Sequence, residues 1–181
     1  MGHVPDHDKP TALPTMIRAG PESASLILVL DPAGEASHGE LPATWRPTVR
    51  HTRVVWYRLA RRGIHQLLQD TELEQLLGGA DRVHLAAAGA ATEPALAFAA
   101  THTAIVRSLL LVDPRISAPP AEPDEDFIRR WAALLKASGI RVRVSHPHHV
   151  RPATEVAPLG LPEVVAQALE VSGRATEDAR V

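Results

Sequence analysis

The stretch R-V-H-L-A-A-A-G-A-A-T, residues 82–92, decides the fold of this chain. A short apolar run over 83–86 leads into five consecutive small residues, and a helical pattern begins near Thr92. The small residues are Ala87, Ala88, Gly89, Ala90 and Ala91. Small side chains are needed where a backbone turns sharply and a helix packs back on the preceding strand. The stretch therefore predicts strand, tight turn and helix, the layout in which α/β proteins place their chemistry. This turn contains no Ser, Cys or Asp.

Composition limits the possible functions. The 181 residues fit one domain, and a hydrophobic content of 45% is enough to build a core. The formal net charge of −2 argues against a nucleic-acid binder, and the lack of Cys excludes disulfides and thiolate chemistry. No apolar run approaches the roughly 20 residues that span a bilayer, and the polar N-terminus does not resemble a signal peptide. We therefore expect a cytoplasmic protein without a membrane partner, and the Ala, Pro and Arg usage is typical of a GC-rich bacterial genome.

The apolar runs predict five strands that alternate with helices. The strands are expected at 25–30, 52–59, 82–86, 108–112 and 140–144, and the helices at 64–77, 92–106, 124–138 and 162–171, with a possible short helix over 40–46. Strands buried on both faces and joined through helices predict an open, mostly parallel sheet of five to six strands in a three-layer α/β/α arrangement. We expect a disordered N-terminal arm over 1–22, a single α/β domain over 23–172 and a flexible tail over 173–181.

Four stretches in this order resemble the α/β-hydrolase family, including its lidless, thioesterase-like members. They are L-I-L-V-L-D-P-A-G (26–34), V-H-L-A-A-A-G-A-A (83–91), the segment 94–114 that ends in L-L-L-V-D-P, and L-P-E-V-V-A-Q-A-L (161–169). The resemblance implies that the turn Asp31, Pro32, Ala33 and Gly34 corresponds to the family's oxyanion turn. It also implies that 87–91 stands where the family has G-x-S-x-G.

The chain departs from the family where the chemistry would take place. In the family register Gly89 occupies the nucleophile position and offers no side chain, so the resemblance is to a degenerate member that lacks the serine of G-x-S-x-G. Asp31 occupies the position of the usual His before the oxyanion turn, and a carboxylate there would repel a developing oxyanion. His146, His148, His149 and Glu155 follow the fifth predicted strand, but without a nucleophile a His has nothing to deprotonate.

Other candidate sites carry weaker signals. Asp31 and Asp113 each follow a strand and could share Mg²⁺, although Asp-Pro also ends strands well. The cluster His146, His148 and His149 could bind Zn²⁺ or Ni²⁺, although a solvated loop is the simpler interpretation. His3 and His7, with Asp6 and Asp8, form a similar cluster in the predicted disordered arm. His84 is expected to be a core histidine and Thr92 a helix N-cap. Arg58, Arg61 and Arg62 could bind an acidic ligand or a partner, although a solvated turn is the simpler interpretation. Trp45, Trp56 and Tyr57 would suit an interface if they are exposed and belong to the core if they are buried.

The leading hypothesis is therefore a pseudoenzyme: a catalytically inactive α/β-hydrolase-like protein that acts as a binding or assembly module. One alternative is an active hydrolase or thioesterase whose nucleophile is displaced to Thr92, Ser37 or Ser145. Another is a binder of small anions or acyl ligands at the N–H groups of the Gly89 turn. No cofactor or metal is expected. The partner is an unidentified protein or small molecule, and a homo-oligomer is possible.

Overall fold

A computed structural model of the chain describes residues 16–36, 39–59, 67, 69–116, 124–147 and 156–173. These residues form one six-stranded sheet covered by helices on both faces. The strands are β1 (Met16–Ala19), β2 (Leu26–Asp31), β3 (Arg53–Arg58), β4 (Val83–Ala88), β5 (Val106–Val112) and β6 (Arg141–Ser145), and the helices are α1 (Thr71–Leu77), α2 (Thr92–Thr101), α3 (Asp124–Ala137) and α4 (Pro162–Ser172).

The sheet has the order β1-β3-β2-β4-β5-β6. β1 pairs with β3 in the antiparallel direction, and all the other neighbouring strands are parallel. The predicted fold class is thereby confirmed. Because parallel strands place their carboxyl ends at one edge, the turns after β2, β4, β5 and β6 all lie along that edge, where open α/β sheets bind their ligands.

Two apolar layers hold the sheet between its helices. On one face, Leu28, Leu85 and Leu109 pack with residues of α1, α2 and α3, and Phe98 is among the largest of these buried side chains. On the other face, Ile27, Ala86 and Leu110 belong to the layer that α4 and the 3₁₀ turn Ala43–Trp45 complete. The alternation of side chains along each strand, with both faces covered, explains the continuous apolar runs in the sequence.

Several predicted boundaries were wrong. The arm predicted over 1–22 includes β1, which is an edge strand of the sheet; residues 1–15 lie outside the described part of the chain. The long helix predicted at 64–77 is interrupted at Asp70: residues 67 and 69 are helical, and a new helix, α1, begins at Thr71 because the Asp70 side chain accepts hydrogen bonds from Glu72 N and Leu73 N. The helix predicted to reach Val106 ends at Thr101, and Val106 already belongs to β5.

Two further predictions need correction. The possible helix over 40–46 is only the 3₁₀ turn Ala43–Trp45. Thr92 is not an N-cap: it is the first residue of α2, and its hydroxyl donates to the Gly89 carbonyl. The end of α3 is as expected, since Gly139 follows with a φ of +84°. None of the helices in the described ranges is long and apolar enough to cross a membrane.

Candidate functional site

Gly89 begins a 3₁₀ turn (Gly89–Ala91) at the carboxyl edge of the sheet, which follows β4 directly and leads into α2. Gly89 is buried and has a φ of +50°, a backbone conformation that side-chain-bearing residues adopt only under strain. Its carbonyl accepts hydrogen bonds from Thr92 Oγ1 at 2.7 Å and from Arg115 N at 3.2 Å. The turn is therefore tight, and its carbonyl is fully used within the protein.

Val156 fills the space in front of this turn. A Cβ atom built on Gly89 would lie 2.7 Å from Val156 Cγ2, closer than real Cβ contacts allow, and 3.0 Å from Cγ1, which is also an unusually short contact. The position at which a nucleophilic side chain would begin is thus occupied by a half-buried valine. The sequence does not predict this contact, because Val156 follows the fifth predicted strand in a stretch without helix or strand periodicity, and nothing in the sequence indicates where that stretch packs.

Residues 156–160, which we call the covering segment, are fixed across the carboxyl edge by polar contacts. The Asp113 carboxylate accepts from Ala157 N at 2.9 Å. The Glu35 carboxylate accepts from Leu159 N at 2.7 Å and from Gly160 N at 2.8 Å. In the other direction, Trp45 Nε1 and Thr44 Oγ1 donate to carbonyl groups of this segment. Charge-assisted bonds of this kind are stronger than neutral ones, so Val156 is held in place.

The predicted oxyanion turn is organised around the carboxylate of Asp31. This side chain is 1% exposed and accepts from Ala33 N at 2.9 Å, from Gly34 N at 2.7 Å and from Ala36 N at 3.4 Å. Trp56 Nε1 donates to it at 2.8 Å. The backbone N–H groups of Ala33 and Gly34 therefore already bind a negative charge that belongs to the protein.

Asp113 and His146 form the one histidine–carboxylate contact that the described residues place at this edge. His146 Nδ1 lies 3.2 Å from Asp113 Oδ1, and the histidine side chain is 70% exposed. Asp113 has a φ of +42°, which is strained for a residue with a side chain. His146 also lines a cavity of about 540 Å³ between α3 and β6, to which Gly89 does not contribute. His148, His149 and Glu155 lie outside the described residues.

The remaining sequence candidates are mostly structural. Thr92 is 0% exposed and Ser145 is buried, while Ser37 lies outside the described residues, as do Arg61, Arg62, His3 and His7. His84 is buried with its Nδ1 2.7 Å from Ser108 Oγ, as expected of a core histidine. Trp45, Trp56 and Tyr57 are core residues and not an exposed interface.

The described residues do not form the metal sites considered at Asp31 and Asp113 or at the histidines. β4 separates the strands that carry Asp31 and Asp113, so these side chains start about 10 Å apart. Each carboxylate also accepts backbone hydrogen bonds. Among the described residues, no three His, Cys, Asp or Glu side chains are grouped closely enough to hold a metal ion.

Comparison with known proteins finds only distant structural similarity. No family model and no curated protein sequence matches the chain. Similar solved structures include a carboxylesterase of Nitrososphaera gargenis (12% identity, 88% of this chain and 82% of that one, TM-score 0.47). They also include an α/β-hydrolase fold protein of Burkholderia ambifaria (18%, 64% and 44%, 0.40) and the enol-lactonase of Burkholderia xenovorans LB400 (18%, 68% and 62%, 0.41). The chain thus spans less than half of the Burkholderia ambifaria protein.

Proposed function

We propose that this protein is an α/β-hydrolase-like binding or assembly module that does not form a covalent intermediate at the position of the family's nucleophile. The observation that carries the proposal is the contact between Gly89 and Val156. Gly89 offers no nucleophile, and the valine occupies the space into which a side chain or the reacting carbon of a substrate would have to enter.

Two further features support the same conclusion. The N–H groups of the oxyanion turn are bound to Asp31, so they are not free to stabilise an oxyanion. The covering segment is held by Asp113 and Glu35. One oxygen of the Asp113 carboxylate thus accepts a hydrogen bond from Ala157 N and serves to hold this segment.

The test combines a covalent probe with a turnover assay. A fluorophosphonate probe, which labels activated serines, is expected to leave the protein unlabelled, and activated esters are expected to be hydrolysed at the background rate. The control variant is His51→Ala, which alters an exposed histidine, beside His146→Ala at the candidate site. Turnover well above background that His146→Ala abolishes and His51→Ala preserves would overturn the proposal.

An active hydrolase with a displaced nucleophile remains the alternative, and the contact between His146 and Asp113 is the observation in its favour. Thr92 gives it little support, because this hydroxyl is buried and bound to the Gly89 carbonyl. Labelling by the probe, followed by mapping of the modified serine, would favour it. Anion binding at the Gly89 turn is supported less well, since Val156 covers that turn.

A further inference from the structure

Arg58 is a cation at the carboxyl edge that no described acidic residue neutralises. It is the last residue of β3, lies opposite Asp31 in the sheet and is half-buried. Its Nε is buried and has no hydrogen-bond partner among the described residues. A buried, unpartnered polar group is uncommon in native proteins and calls for an explanation.

The neighbouring carboxylates are engaged elsewhere. Asp31, the nearest one in the sheet register, directs its oxygens at the backbone of its own turn and at Trp56. Glu35 directs its oxygens at Leu159 N and Gly160 N. The positive charge of Arg58 is therefore left for a group that the described residues do not supply.

Gly34 lies beside the Arg58 guanidinium. Gly34, with a φ of +75°, presents no side chain to the guanidinium, and Arg58 Nη2 lies 3.6 Å from the position that a Cβ on Gly34 would take. A planar guanidinium pairs with carboxylate and phosphate oxygens through parallel N–H bonds. Its place after a parallel strand is also where open α/β sheets bind ligands.

We propose that Arg58 anchors a binding site for a small oxyanion, a carboxylate or a phosphate monoester, beside the turn at Gly34. This inference rests on the proposed function, since it specifies what the non-covalent module binds. Hydrolysis would not be expected of this site, because Asp31 keeps the N–H groups of the turn.

The experiment is a calorimetric titration of the full chain with acetate, butyrate, inorganic phosphate and methyl phosphate at constant ionic strength. We expect saturable binding of at least one anion. Comparing the dissociation constants of the two carboxylates with those of the two phosphates shows which class of anion the site prefers. Arg58→Gln is expected to weaken that binding about tenfold or more, because a charge-assisted hydrogen bond is lost. Arg58→Lys keeps the positive charge but loses the planar guanidinium donors, so its affinity should lie between those of the unmodified protein and Arg58→Gln.

Arg53→Gln is the matched control, because Arg53 begins the strand that Arg58 ends and is also half-buried. It removes the same charge at the amino end of β3, away from the carboxyl edge, and should leave the dissociation constant of the anion unchanged. Circular dichroism and the melting temperature of each free variant show that the fold is kept. Absence of saturable binding in the unmodified protein, or equal binding by Arg58→Gln, would overturn the site. Ester hydrolysis measured on the same samples tests the proposed function separately, so the two can fail independently.

Discussion

Replacing Gly89 by Ala tests whether Val156 really fills the position of the missing nucleophile. The substitution adds a single carbon atom, and two costs follow from the structure. The new residue must keep a φ of +50°, and its Cβ would meet Val156 Cγ2 at 2.7 Å and Cγ1 at 3.0 Å. The first cost belongs to the backbone and the second to packing.

The magnitude can be estimated from the two terms. A left-handed conformation costs a non-glycine residue about 1–2 kcal/mol. Overpacking a filled site costs about 1–3 kcal/mol. The sum, about 2–5 kcal/mol, is a large part of the total of about 5–15 kcal/mol that stabilises a typical native protein.

Urea denaturation measures this loss, and Gly139→Ala provides the matched control. Gly139 also has a positive φ, +84°, but a Cβ there would meet nothing within 4 Å. We therefore expect Gly139→Ala to show only the backbone cost of about 1–2 kcal/mol. Adding Val156→Ala to Gly89→Ala should recover about 1–2 kcal/mol, because the two clashing methyl groups are removed.

A Gly89→Ala variant that is no less stable than Gly139→Ala would refute the reasoning. So would a double variant in which the effects of Gly89→Ala and Val156→Ala simply add. Either result would mean that Val156 does not occupy this position in solution, and the main support for the proposed function would be lost.

Three further predictions follow from the same region and from the core. Asp31→Asn should lower the free energy of unfolding by about 2 kcal/mol in urea titrations, because the amide nitrogen cannot accept the N–H groups that the carboxylate oxygens hold. The exposed Asp81→Asn should change it by less than about 0.5 kcal/mol, and equal effects would contradict the role of Asp31. Burial, and then the hydrogen bond to Asp70, raises the pKa of Tyr57 above its ordinary value. The phenol therefore contributes stability that is complete below its unfolded pKa of about 10 and is lost as the pH rises through the folded pKa, so Tyr57→Phe should flatten the decline seen in urea titrations above about pH 10. Gly89→Ser should gain little activity toward activated esters, since Asp31 holds the N–H groups of the oxyanion turn and Val156 fills the space; a large gain would imply an otherwise intact site.

The sequence was most informative where periodicity controls structure. Continuous apolar runs predicted five of the six strands to within two residues at each end, and they predicted the parallel sheet with both faces covered. β1 was missed because Met16–Ala19 is a short, partly exposed edge strand among prolines, and its pairing with β3 depends on residues about 40 positions away. The apolar spacing over 64–77 places Asp70 inside one helix, whereas in the structure the Asp70 side chain caps the start of α1.

For the candidate site too, some features could be inferred from the sequence and others could not. From the sequence one could infer a cramped turn at 87–91 and the lack of a nucleophile at Gly89, since both are properties of consecutive residues. The placement of Val156, the contacts of Glu35 with Leu159 and Gly160, and the engagement of the Asp31 carboxylate could not be inferred.

The sequence by itself thus determined the layers of the fold and the missing side chain at Gly89, because hydrophobic periodicity and steric demands at a turn act over a few neighbouring residues. Only the tertiary structure decided what occupies that position and which cation at the carboxyl edge has a buried nitrogen without a partner among the described residues. Val156 is 67 positions from Gly89 in the chain, and Asp31 and Arg58 meet only through strand pairing. Contacts between such distant residues depend on how the whole sheet assembles, and no local pattern encodes them.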